Sequence, residues 1–78
     1  MKNLLEYITQ NITGNKDIKV VESEEDGVHQ YVIKTPKDVM GLLIGKEGRT
    51  IRAIRSLARA RAIVDKVNIN VNLEEITQ

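Results

Sequence analysis

Apolar positions recur at helical spacing first at Leu4, Leu5, Ile8 and Ile12, ahead of Gly14. With Asn3 and Glu6 placed as a capping pair, this predicts a short amphipathic helix over residues 3–13. Ile18 to Ser23 then reads as a strand, and Val28 to Thr35 as a second one rich in β-branched residues. Between them Glu24-Glu25-Asp26-Gly27 ends in Asp-Gly, the chemistry of a hairpin turn. Thr35-Pro36-Lys37-Asp38 suits a helix start, with Thr35 as cap, Pro36 in the first turn and Asp38 facing the positive end of the dipole. Gly45 and Gly48 cut that second helix short, and a longer helix is expected from Arg49 to Asp65. On it Ile51, Ile54, Leu57 and Ala58 share the core side. Finally Val67-Asn68-Ile69-Asn70-Val71-Asn72-Leu73 alternates without a fault, a strand with one buried and one wet face. The order α-β-β-α-α-β, with no linker, repeat or low-complexity stretch, implies one α+β domain over residues 1–78.

Composition narrows what such a domain can do. Of 78 residues 32 are apolar, enough for one thin core. Without Cys there is neither a disulfide framework nor a thiolate metal site. The single His29 leaves no zinc cluster and no His-paired nucleophile. No catalytic residue, cofactor or metal ligand is therefore expected. Its strand alternation with Tyr31 and Ile33 puts His29 at the core edge. Tyr7 and Tyr31 are the only aromatics, which argues against modules that stack bases on exposed rings. The longest nonpolar run, Val39 to Gly45, is far short of the roughly 18 residues a membrane helix needs. Glu6 and its polar neighbours leave no apolar export signal near Met1, so a soluble, cytoplasmic protein is expected.

A net charge of +1 conceals a division along the chain. Residues 1–40 hold five Lys and seven Asp or Glu, a net −2. Residues 41–66 hold seven Lys or Arg against Glu47 and Asp65, a net +5, and Glu74 and Glu75 make the remainder −2. A field divided in this way draws a polyanion to one face and repels it from the others.

The basic third contains Leu43-Ile44-Gly45-Lys46-Glu47-Gly48-Arg49-Thr50-Ile51. Two glycines three apart make a tight turn without Cβ shielding, and the helix that opens there turns its N–H groups and dipole toward the loop. Lys46 and Arg49 add full charges, a chemistry that suits phosphate. A mononucleotide loop fails on spacing, since Met40 stands five before Gly45 and Glu47 replaces the magnesium-holding hydroxyl. Gly41, Gly45 and Gly48 follow a helix rather than a strand, which excludes a dinucleotide fingerprint. Beyond the loop, Arg49, Arg52, Arg55 and Arg59 fall within roughly one third of the helix circumference. They have no acidic i,i+4 partners, and an unpaired stripe continuous with an anion-binding turn reads as a polyanion track.

The stretch Ile44-Gly45-Lys46-Glu47-Gly48-Arg49-Thr50-Ile51, then Ala53-Ile54-Arg55, resembles the I-G-x-x-G-x-x-I core of KH RNA-binding domains. The element order is similar to the type II arrangement. Length, helix-first order and the lead-in Pro36-Lys37-Asp38-Val39-Met40-Gly41 resemble the small bacterial KH proteins of the KhpA family. This resemblance implies a type II KH fold, a three-stranded mixed sheet with helices packed on one face. It further implies that Gly45, Lys46, Glu47 and Gly48 clamp the backbone of single-stranded RNA with help from Arg49. Arg52 and Arg55 would continue the track, and Ile44, Ile51 and Val32 or Ile33 would line an aliphatic groove for bases. The family also implies a homodimer, or a heterodimer with a larger KhpB-like KH protein. RNA chaperoning or post-transcriptional regulation and control of cell wall and cell length come with the same likeness. The rival expectation is a protein–protein adaptor or dimerisation module that keeps the KH shape and binds no RNA.

Three features stand outside that scheme. Arg61 falls on the apolar side of its helix, where it can snorkel, pair with Asp65 or meet another subunit. Ile63 lies on the basic face, through fraying of the helix end or as part of a subunit contact. The Glu22-Glu24-Glu25-Asp26 cluster reads as an exposed turn that keeps clear of RNA.

Overall fold

A computed structural model of the chain describes residues 1–76; positions 77 and 78 of the expected domain lie outside it. The elements are α1 (Lys2–Thr13), β1 (Lys19–Glu25), β2 (Val28–Thr35), α2 (Lys37–Ile44), a 3-10 turn (Lys46–Gly48), α3 (Arg49–Asp65) and β3 (Asn68–Glu75). The sheet runs β1-β2-β3, with β1 antiparallel and β3 parallel to β2. Parallel pairing requires a long crossover, and the α2–α3 pair supplies it.

Alternation decides what each sheet face does. Val20, Ile33 and Leu73 are register partners on one face, as are Glu22, Tyr31 and Val71. That face meets the helices, and Leu5, Ile18, Ile33, Leu43 and Ile54 are fully buried between the layers. The other face carries Val21, Val32 and Asn72 in register and has no helix on it. The fold is the α+β, type II KH arrangement, a mixed three-stranded sheet with helices on one face. Burial first, then the Glu22 and Asp65 carboxylates, push the Tyr31 phenol above its ordinary pKa, so it stays neutral in the core.

Local chemistry explains where the boundaries moved. The hairpin turn uses only Asp26 and Gly27, both at positive φ (53° and 78°), so Glu24 and Glu25 remain in β1. Neither expected N-cap forms. Met1 precedes α1 with no side-chain cap, and Asn3 is already helical. Glu6 instead accepts the Val20 N–H at 3.2 Å, tying α1 to β1. Thr35 is fully buried as the last residue of β2, and Pro36 occupies the cap position of α2. Its neighbour Asp38 does lie in the first turn. On α3 the buried positions are Ile51, Ile54, Ala58 and Ala62, while Leu57 is 55% exposed, a correction to the expected core. The two alanines let α3 lie close to the sheet, and that narrow contact leaves Leu57 outside it.

Candidate nucleic-acid interface

The loop after α2 holds three of its four residues at positive φ. Gly45 has φ 73° and ψ 176°, Glu47 φ 57° and Gly48 φ 74°. Within the turn the Gly48 N–H donates to the Gly45 carbonyl at 3.2 Å, and the Arg49 N–H donates to the Lys46 carbonyl. Two of the N–H groups expected to face a ligand are therefore spent on the loop itself. Exposed Lys46 and Arg49 supply the cationic chemistry there. Arg49 is shared with Glu47, whose carboxylate lies 3.5 Å from its Nη2. Both side chains are largely exposed, so this pair contributes little to stability.

The arginine stripe is less uniform than its spacing suggests. Arg52 donates through Nη2 to the Glu47 carbonyl at 2.8 Å and through Nε to that of Gly48 at 3.3 Å. Arg55 donates through Nε to the Val71 carbonyl at 3.0 Å, on the free edge of β3. Arg59 has no hydrogen-bonded or ion-paired partner among the described residues. Carbonyl acceptors leave the guanidinium charge intact, so Arg52, Arg55 and Arg59 form one positive flank of α3.

That flank and the edge of β3 enclose a cleft of about 230 Å³, lined by Arg55, Arg59, Ile69, Asn70, Val71 and Asn72. Its sheet wall is β3, which corrects the expectation for β2. Central β2 presents no edge to α3: Ile33 is fully buried in the core, and Val32 points to the helix-free face beside Val21 and Asn72. Ile51 is also in the core, 7% exposed, whereas Ile44 at 40% retains a surface beside the loop. Of the expected site residues, the fold thus gathers Ile44, Gly45, Lys46, Glu47, Gly48, Arg49 and Arg52 at the loop, and Arg55 at the cleft. It brings Arg59, read in the sequence only as part of the polyanion track, to the cleft, and adds residues 69–72, which sequence reasoning did not place at a site. Arg59 was visible as a stripe member, but strand alternation cannot show which strand forms the sheet edge.

A sequence model of the KhpA/KhpB KH domain matches residues 2–75, from the start of α1 to the end of β3. The chain belongs to the KhpA/KhpB KH-domain family. Curated relatives named RNA-binding protein KhpA agree along nearly the whole length. The one from Chlamydia trachomatis serovar D is 34% identical, covering 96% of this chain and 97% of the relative. That from Chlamydia caviae is 38% identical, over 95% and 94%. The Halalkalibacterium halodurans relative is 32% identical, over 94% and 97%. These relatives are named as binding proteins and not as enzymes.

Outside the cleft, the surface separates by chemistry. Arg61 pairs with Asp65 at 3.0 Å. The α3 helix runs unbroken through Asp65, so Ile63, 77% exposed, sits on formed helix rather than a frayed end. His29 is half-buried, at the core edge, and the Glu22–Asp26 segment is exposed. Among the described residues no helix is long and apolar enough to cross a membrane, and no group of His, Cys, Asp and Glu is placed to hold a metal ion.

Proposed function

We propose that this KhpA/KhpB-family chain is a non-catalytic binder of single-stranded RNA. Lys46 and Arg49 take phosphates at the glycine loop, and bases enter the cleft between α3 and β3. The observation that carries this is the cleft itself: a free strand edge faced by Arg55 and Arg59, beginning about two helical turns from the loop. A groove built from backbone edge, amides and guanidinium needs no aromatic platform, which fits a chain with two Tyr and no Phe or Trp. The names of the relatives support the same ligand. A role as cytoplasmic RNA chaperone or post-transcriptional regulator with a KhpB-like partner, acting in cell-wall homeostasis and cell-length control, rests on family likeness alone.

Fluorescence anisotropy with a labelled RNA octamer, single-stranded or annealed, tests the assignment. The single strand should bind more tightly than the duplex, with affinity falling as salt rises. Arg59→Ala should weaken binding several-fold across unrelated sequences and reduce the magnitude of the log–log salt slope by about 0.7, one phosphate contact's worth. No binding at low salt, or equal binding of the duplex, would leave the adaptor reading in its place.

A second surface favours a homodimer. Ala53, Leu57, Ala60 and Val64 recur at i, i+4, i+7 and i+11 on the flank of α3 away from its basic side. Leu57 is 55% and Val64 75% exposed. Antiparallel pairing with a second copy, about an axis between positions 58 and 59, sets Leu57 against Ala60 of the other copy and Ala53 against its Val64. Large then meets small on both sides, as a two-fold interface requires. The Arg61–Asp65 pair lowers the charge at the rim, and the basic flank stays open to RNA. Leu57→Glu should weaken dimerisation at least tenfold by analytical ultracentrifugation while leaving the fold intact, since Leu57 contributes little to the core. A variant as dimeric as the parent would remove this stripe from the interface.

A further inference from the structure

We propose that Arg52 is a positioning residue, a guanidinium clamp that holds the glycine loop in shape, and not one of the phosphate contacts its place in the stripe implies. The loop needs such a clamp. Glu47 sits at φ 57°, ψ 26°, where a residue with a Cβ is disfavoured, and no glycine relieves it. The left-handed turn directs the Glu47 and Gly48 carbonyls toward the first turns of α3. Arg52 meets both at once, Nη2 on Glu47 at 2.8 Å and Nε on Gly48 at 3.3 Å. Two donors on the same edge of a rigid plane match two successive carbonyls, a geometry that a single ammonium cannot reproduce.

Sequence position makes the contact possible. Arg52 stands four residues after Gly48, so its side chain leans back over the turn that precedes it. The Glu47 carboxylate takes no part, because it turns to Arg49 instead. Arg52 therefore acts on backbone and leaves ligand contact to Lys46 and Arg49, which have exposed side chains at the same loop. This division of labour deepens the RNA-binding reading and rests on it only for what the shaped loop receives.

Arg52→Lys separates the two roles, because it keeps the charge and removes the fork. In RNA-free protein, the Gly48 and Arg49 amides are held by the Gly45 and Lys46 carbonyls. Hydrogen exchange at those two amides should speed up at least tenfold in Arg52→Lys and equally in Arg52→Ala, with exchange in the sheet unchanged. RNA affinity of Arg52→Lys should fall at least fivefold while its salt slope stays that of the parent. Parental loop exchange and affinity in Arg52→Lys, with a slope reduced by about 0.7 in Arg52→Ala, would make Arg52 a phosphate contact and overturn the proposal. The exchange measurement contains no RNA. Should the parent bind none, the RNA-binding assignment fails while faster exchange still supports the clamp.

Discussion

Gly45→Ala should cost the domain about 3 kcal/mol or more and abolish RNA binding, whereas Gly48→Ala should cost only about 1 kcal/mol. The two glycines are interchangeable in a G-x-x-G pattern, but not in the fold. Gly45 combines φ 73° with ψ 176°, a region essentially reserved for glycine. A methyl group there would also fall 2.9 Å from the backbone nitrogen of Thr50 and collide with its side chain. A change of Thr50 rotamer cannot move that nitrogen, so the start of α3 must shift. Gly48 lies at φ 74°, ψ 16°, and an added Cβ meets nothing within 4 Å. Its cost is the left-handed strain alone, partly offset by the stiffer unfolded chain. For a domain of this size each kcal/mol moves the melting temperature by about 4–8 °C. Thermal and urea unfolding of the two variants should therefore separate clearly. Thr50→Ala should rescue only part of the Gly45→Ala loss. Equal losses at the two positions would show that Thr50 does not pack on the loop as described.

What could be read in advance followed the range of each interaction. The Asp26-Gly27 pair at the turn and both ends of α3 are set by local backbone chemistry and stood in the sequence as they stand in the fold, although β1 took Glu24 and Glu25 from the expected connection. Asn3 and Thr35 have the composition of caps, yet distant partners decided their roles. Glu6 is drawn to Val20, fourteen residues away, and Thr35 is fully buried as the end of β2. Alternation put His29 on one face with Tyr31 and Ile33, but could not say that β3 would form the edge beside α3. The helical wheel likewise found the arginine stripe without its acceptors. Those of Arg52 lie on a loop with left-handed residues, and that of Arg55 on a strand sixteen residues later. Loop and stripe were legible because glycine and charge are local signals, whereas the cleft arises from a parallel strand pairing.

Lys46→Asp combined with Glu47→Asp should lower affinity for single-stranded RNA at least a hundredfold and leave the fold intact. Lys46 is exposed, and among the described residues its ammonium makes no salt bridge, so the core loses nothing. Aspartate tolerates the left-handed conformation that position 47 requires, and Arg52 grips backbone carbonyls that both substitutions keep. At the mouth of the loop, however, a cation is replaced by an anion. A like charge about 4 Å from a phosphate costs between about 1 kcal/mol in water and about 4 kcal/mol near a protein surface, in addition to the attraction lost. A total of about 3 kcal/mol is a hundredfold. The double variant must be compared with Lys16→Asp, which changes net charge by the same amount at an exposed turn between α1 and β1. That variant should bind nearly as the parent does, because its neighbours Asn15 and Asp17 lie beside Pro36–Asp38, at the opposite end of α2 from the loop and about 12 Å of helix away, where exposed charges are largely screened. Equal weakening by the two would reduce the loop to one part of a diffuse field. Circular dichroism of the double variant should match the parent, so that lost affinity reports the loop and not the fold.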